Sequence, residues 1–388
     1  MDILKTVLNV WLKFQNFCHV EPHKILKPSQ TRWLSMTEVV KRISAQWEAL
    51  RLFFTDQWIA ARFNAAENIY HALNDESLRL YYHFLEWALP KFTDLNQYFQ
   101  SEGVVITSLR SKMCETYKDL LLTFMQRDYV LHTALSQISF NDDSKFLPLN
   151  TMYLGVKVMQ KVQQSKFTPA ILTDFYMRCQ KFLRVACGEI KQRFDFDDAL
   201  LVHIACLSPA TATDARARAE YPSLFPLMRL LPRLIDSTDA DRLQAIDDQW
   251  RRLPLVSLNE DTKTMIVDEF WHHLSTLEDF GARRVFRELG EFALDALVVP
   301  HSNASCERVF SKVNLIKTKP RNRLLTGTLN GLMHTSECVK MAGGCASFKP
   351  TTTMLRSMTT SNLYRKRTAP TQQEAADSDS DSELEIDL

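Results

Sequence analysis

The chain has 388 residues, 45% hydrophobic and 10% aromatic, with a formal net charge of +1. That is apolar material for a sizeable core in one large helical body or two to three domains. No apolar run reaches the roughly 18 residues a membrane span needs. Asp2 and Lys5 inside the first amphipathic stretch argue against a secretory signal, and the expected setting is the soluble interior of the cell. The balanced charge hides an asymmetry. Asp377, Asp379, Asp381, Glu383, Glu385 and Asp387 form an acidic end without a base, so the rest of the chain carries +7. The eight cysteines are scattered singly without a CxxC pair, the pattern of reduced thiols. Cys18, His19 and His23 lie close together, but no nearby residue completes four zinc ligands.

Gly is scarce, at 9 residues, and helical periodicity recurs, so the fold class expected is mainly α. Ile3, Leu4, Val7, Leu8, Trp11, Leu12 and Phe14 predict a first helix ending near Phe17. A connector with Pro22 and Pro28 follows. Ser35 and Glu38 then have capping-box spacing, with Leu34 and Val39 at the staple positions. Val39, Val40, Ile43, Trp47, Leu50 and Phe54 give the next helix its buried stripe. Further stripes run from Leu78 to Phe99, from Leu109 to Leu135 and from Pro169 to Phe194. Ala, Thr, Ser and Pro break the pattern between Leu207 and Pro226, which reads as a loop or short helices. Helical pattern resumes near Asp239 and near Asp261, then over Ala282 to Leu297, Ser302 to Val313 and Thr326 to Lys340. No stretch shows sustained period-2 alternation, so strands should be few. Beyond Ala342 the chain has too little apolar surface to offset ordering and is expected to be disordered.

Two segments carry a family resemblance: KILKPSQTRWLSMTEVVKRISAQWEALRLFF (24–54) and LVVPHSNASCERVFSKVNLIKTKPRNRLLTGTLNGLMHTSECV (297–339). They resemble the domesticated-type hAT-superfamily transposases of animals, in which a Thr-Arg-Trp motif precedes, far downstream, an SNA-x-x-ERVFS block. The segment FWHHLSTLEDFGARRVFRELGEFALDAL (270–297) resembles that family's lead-in to its C-terminal dimerisation region. The resemblance implies an RNase H-like fold interrupted by a large helical insertion. It assigns residues 1–260 to the insertion region, residues 261–341 to the terminal RNase H and dimerisation helices, and residues 342–388 to the disordered tail. Most of the sheet would be absent.

The family cuts DNA with two Asp and one Glu that hold two metal ions, and such a centre fails without its charged ligands. Glu307 matches the third acid. The other two precede the Thr-Arg-Trp motif in the family, yet only Asp2 and Glu21 precede Thr31 here, neither in a strand-like context. The family's Cys-x-x-His element is also missing. The expectation is a non-catalytic, transposase-derived protein without a cofactor, Mg2+ entering only if an upstream region supplied the missing acids. The alternative is the fragment of a full hAT transposase, a cut-and-paste enzyme. The acidic pairs Asp142-Asp143, Asp197-Asp198 and Asp247-Asp248 read as solvated or capping residues.

The remaining residues concern partners. Trp33 matches a tryptophan associated in the family with stacking on a flipped base; its other reading is a core or interface tryptophan. Arg308, Lys312, Lys317, Lys319, Arg321 and Arg323 form a stripe free of acids, suited to phosphates or to a solvated loop. Val309, Phe310, Val313, Leu329 and Leu332 are the dimerisation candidates, because an apolar face deprived of its sheet needs another cover. Ser378, Ser380 and Ser382 each have an acid three residues on and are phosphorylation candidates. Arg365-Lys366-Arg367 resembles a nuclear-import element. The partners expected are a second copy or another hAT-like protein, with DNA as a further one. A membrane and a small-molecule substrate are not expected, and the location is the nucleus, otherwise the cytoplasm.

Overall fold

The computed structural model describes residues 2–24, 26, 33–59 and 66–359. These are mainly helical, and no strand occurs among them beyond two isolated bridges, Met125 with Phe146 and Glu278 with Arg284. No helix among them is long and apolar enough to cross a membrane. The chain divides into two compact units, residues 1–305 and 306–388.

The first unit begins with α1 (Asp2–Phe17), α2 (Trp33–Ala45), α3 (Trp47–Ile59) and α4 (Glu67–Asn74). The single helix expected from Ser35 to Phe54 is interrupted at Gln46, and α2 starts at Trp33, two residues before the expected Ser35 cap. The interruption is slight, since the Gln46 backbone amide still donates to the Arg42 carbonyl and the Leu50 amide to that of Gln46. The Gln46 side-chain amide is buried, donating to the Glu21 carbonyl at 2.8 Å and accepting from Gln15 at 2.9 Å. Every polar atom of that amide thereby gains a partner, as burial requires. Around it Trp11 meets Phe53 edge-on at 5.6 Å, and Trp47 meets Tyr82 at 5.1 Å.

The middle of this unit comprises α5 (Glu76–Phe99), α6 (Ile106–Leu121), α7 (Arg127–His132), α8 (Val156–Gln164) and α9 (Pro169–Arg193). The start of α9 follows from its sequence. The Thr168 side chain accepts from the Ile171 amide and Pro169 occupies the first helical turn, where its missing N–H costs nothing. Leu80, Phe84, Tyr117, Leu120, Phe175 and Leu183 fill the core between α5, α6 and α9. The predicted Leu109–Leu135 helix breaks after Leu121 because the chain turns to bond elsewhere: Gln126 donates to the Lys145 carbonyl and Leu147 to that of Phe124. Gly155 sits at φ +98°, and a Cβ there would stand 2.8 Å from the Trp87 ring, so both backbone and space demand glycine.

Next come α10 (Ala199–Ile204), α11 (Pro209–Thr213), α12 (Phe225–Leu230), α13 (Ala240–Arg252), α14 (Glu260–Lys263), α15 (Val267–Thr276) and α16 (Arg287–Leu297). They enclose a third core around Trp250, Phe270, Trp271, Phe286 and Phe292, all fully buried. Residues on both sides of position 260 build it. Helices α15 and α16 approach so closely that a Cβ on Gly290 would lie 2.6 Å from the Ser275 Cβ. The α16 helix starts at Arg287 rather than near Ala282, because residues 278–284 form a tight bridge. There the Asp279 carboxylate accepts from the Gly281 and Arg283 amides, and Ala282 is held at φ +57°.

The second unit holds α17 (Ala304–Ile316, its first turn crossing the boundary), a 3-10 turn at Lys319–Arg321, α18 (Thr326–Met341) and α19 (Thr352–Ser357). The last helix departs from the expectation of disorder beyond Ala342. Thr351 caps it, accepting from the Met354 amide. The expected disorder of the acidic end lies outside the described residues.

Candidate functional site

The residues that the sequence singles out for partners fall on α17, α18 and the connection between them. What distinguishes this stretch is burial. Ala304 is the last buried residue among those described, and from Ser305 to Thr359 none is buried. Val309, Phe310 and Leu332 are exposed, Phe310 by 67%, while Val313 and Leu329 are half-buried. Leu315, Leu325 and Met341 are exposed as well, at 77%, 58% and 87%. Sequence reasoning left these three out, although Leu315 and Leu325 border the same apolar runs. Isolated exposed leucines are ordinary, but two consecutive helices with no buried side chain beyond Ala304 at the very start are an incomplete layer.

The basic stripe separates into two kinds of residue. Lys312 pairs with Glu337, tying α17 to α18, and its hydrogen bond holds the Glu337 carboxyl below the usual carboxylate range. Arg308 is half-buried on α17. Lys317, Lys319, Arg321 and Arg323 all lie on the connection, all exposed, and no ion pair engages them among the described residues. Backbone bonds from Lys317 to Val313 and from Arg321 to Thr318 shape this connection into a compact turn around Pro320. Four cations thus share a short, ordered turn.

Glu307 lies exposed in the first turn of α17, where the helix dipole favours a carboxylate. No group of three or more His, Cys, Asp or Glu able to hold a metal gathers anywhere among the described residues. The acidic pairs have structural employment: Asp142 accepts from Ser144, Asp198 caps α10, and Asp247 accepts from Ser223 and the Leu224 amide while pairing with Arg251. His23 meets Glu21 at 3.4 Å, and its carbonyl accepts from Trp11 and Gln15, which ties the Cys18–His23 turn to α1. Trp33 opens α2, but its indole lies outside what the structure describes, as do Thr31 and Arg32. Ser378, Ser380, Ser382 and Arg365-Lys366-Arg367 also lie outside the described residues.

Two further features of the first unit have no counterpart in the sequence reading. Arg218 is buried, donating to the Ala212 carbonyl at 3.2 Å and the Trp250 carbonyl at 2.6 Å, with its guanidinium 3.5 Å over the Trp250 ring. It satisfies carbonyls at the ends of α11 and α13, and burial pulls its pKa down to about 10. A shallow groove lined by Ser77, Tyr81 and Phe175 has Asp174 and Arg178 at its rim. These two charges already pair at 2.8 Å, leaving no free charge to recognise a ligand. No family model, curated protein or solved structure matches the chain.

Proposed function

We propose that the chain is a transposase-derived, non-catalytic protein of the hAT kind that works by associating with a second copy through the apolar surface of α17 and α18. The observation that carries this reading is the lack of any buried residue from Ser305 to Thr359 beside exposed Val309, Phe310 and Leu332. Helices that bury so little in their own chain gain stability by covering one another's apolar stripes. The motif residues 24–54 and 297–339 support the family reading, in which residues 1–260 would be the helical insertion and residues 261–341 the terminal RNase H and dimerisation helices. Glu307 is then a remnant of a catalytic acid: it stands exposed, and among the described residues no group of three His, Cys, Asp or Glu gathers around it.

The test is sedimentation of the full chain over a concentration series. A monomer–dimer equilibrium is expected, abolished when Phe310→Asp and Leu332→Asp are combined. A monomer persisting at high micromolar concentration overturns the reading. A second reading takes the same apolar face as the seat of an RNase H-like sheet supplied by an upstream region, making these residues part of a full transposase that uses Mg2+. Capture of the endogenous protein separates the two: a mass near 44.9 kDa favours the remnant, and a much larger mass the transposase. A DNA-associated role, and with it a nuclear location, is proposed for the turn bearing Lys317, Lys319, Arg321 and Arg323. Phosphate contacts there would make duplex binding salt-sensitive and weaker when Lys317→Ala and Arg321→Ala are combined.

A further inference from the structure

We propose that the acidic segment Asp377–Asp387 docks on the basic turn Lys317–Arg323 of the same chain, as an internal counter-ion that any nucleic acid must displace. The inference rests on the turn's own charges and stands whether or not the chain self-associates or binds DNA.

Three observations point there. The first is local imbalance. Residues 306–359 hold nine bases against only two acids, Glu307 and Glu337, and Glu337 is already engaged by Lys312. Among the described residues of this unit the four cations of the turn therefore gather the most charge without an ion pair, exposed within seven residues of sequence. The second is the pattern of the acids. Asp377, Asp379, Asp381, Glu383, Glu385 and Asp387 recur at every second position of the sequence, a spacing that docking in extended form would turn to one side. Ser378, Ser380 and Ser382 alternate with them, and phosphate on any of them would add about −1.5 to −2 charge and strengthen the contact.

The third observation is reach. The 16-residue α18 carries the chain away from the turn by about 24 Å at 1.5 Å per residue. The 17 residues between Thr359 and Asp377 can span up to about 60 Å when extended, enough to return. A tether of this size holds the acids near the turn at roughly millimolar effective concentration, so weak surface pairs suffice to populate the contact. The same weakness makes it displaceable, because exposed pairs are screened within about 8 Å at physiological salt. The acidic segment thus acts as a mimic of the phosphate backbone.

The experiment is zero-length carbodiimide cross-linking of the full chain, which joins carboxylates to lysine amines only in contact, with an equal mixture of isotopically light and heavy protein. Links from Asp377–Asp387 to Lys317 and Lys319 are expected within one chain, dropping about tenfold at molar salt, where the Debye length is about 3 Å. Arg321→Glu with Arg323→Glu keeps both target lysines and should reduce the links at low salt. These are exposed positions, so the fold is not at risk. Links spread evenly over Lys41, Lys181 and Lys349, links confined to Lys366, links only between light and heavy chains, or no links at all each overturn the proposal.

Discussion

The core around Trp250, Trp271 and Phe292 and the pair α17–α18 have similar raw material, and they use it in opposite ways. In the first, aromatic side chains disappear from solvent altogether, their indole N–H groups bonded to the Tyr221 and Leu207 carbonyls. In the second, Phe310 and Leu315 remain in solvent and the one named tie between helices is the ion pair Lys312–Glu337. Periodic apolar residues therefore specify a helix in both places, but only packing decides whether that helix stands by itself. The first region buries its apolar residues and the second leaves them in solvent.

The largest effect expected from this contrast is alkaline. Burial pushes up the thiols of Cys179 and Cys187, that of Cys206 to about 12, and the phenol of Tyr117. A group whose folded pKa exceeds its unfolded value contributes stability below the unfolded pKa and loses it as pH rises. The loss should begin near pH 9 and reach several kcal/mol by pH 11, at about 1.4 kcal/mol per group per pH unit. Arg218 opposes it only weakly: burial lowers its pKa to about 10 on folding, so its contribution grows as pH rises above that value. Urea unfolding under reducing conditions at pH 8, 9.5 and 10.5 measures the balance. A midpoint that holds to pH 10.5 breaks the picture of a sealed first region.

Substitution sharpens the same contrast. Trp271→Ala should cost about 3–5 kcal/mol, since it opens a cavity and orphans the Leu207 carbonyl. Phe310→Ala should shift the dilute protein's stability by no more than about 0.5 kcal/mol, as an exposed substitution does. Equal effects on the urea midpoint would mean that α17 is packed in the isolated chain. Between these lies Gly290→Ala, which drives a methyl into Ser275 Cα and Cβ at under 3 Å. A loss of about 1–3 kcal/mol is expected from the forced separation of α15 and α16. Adding Ser275→Gly should restore little of the midpoint, because the Ser275 Cα and N still stand 2.8 and 2.9 Å from the new methyl; full rescue would place the clash in the Ser275 side chain alone.

Much of the fold was legible because its punctuation is local. Thr168-Pro169 and Asp239 mark helix starts that the structure has within a residue, with Asp239 accepting from the Arg242 amide. The break after Leu121 was not legible, because Leu120 to Val130 is apolar on either side and the turn is set by bonds to residues 145 and 147. The start of α16 was missed for a similar reason: the bridge at 278–284 replaces a helical turn whose sequence fits either conformation. Arg218 carried no signal at all, since an arginine destined for two helix ends and a tryptophan face reads like any surface base. At the candidate surface, residue types were readable and exposure was not. An apolar stripe such as Val309–Phe310–Val313 has the same spacing whether or not a layer covers it.

The smallest effect tests the second region at the other end of the pH scale. The Glu337 carboxyl is depressed by its hydrogen bond from Lys312, so the tie between α17 and α18 is present above the ordinary glutamate pKa and lost as pH falls through it. Glu337→Gln should reproduce the loss at neutral pH. Because the pair is exposed, hydrogen exchange of α17 and α18 amides should quicken only about two- to fivefold, while the first region's exchange and the urea midpoint stay unchanged. A global loss would show that the hairpin contributes to the first region's stability, and the division of labour between them would fail. Quickening confined to the two helices would instead show that they open independently, as a surface awaiting a partner should.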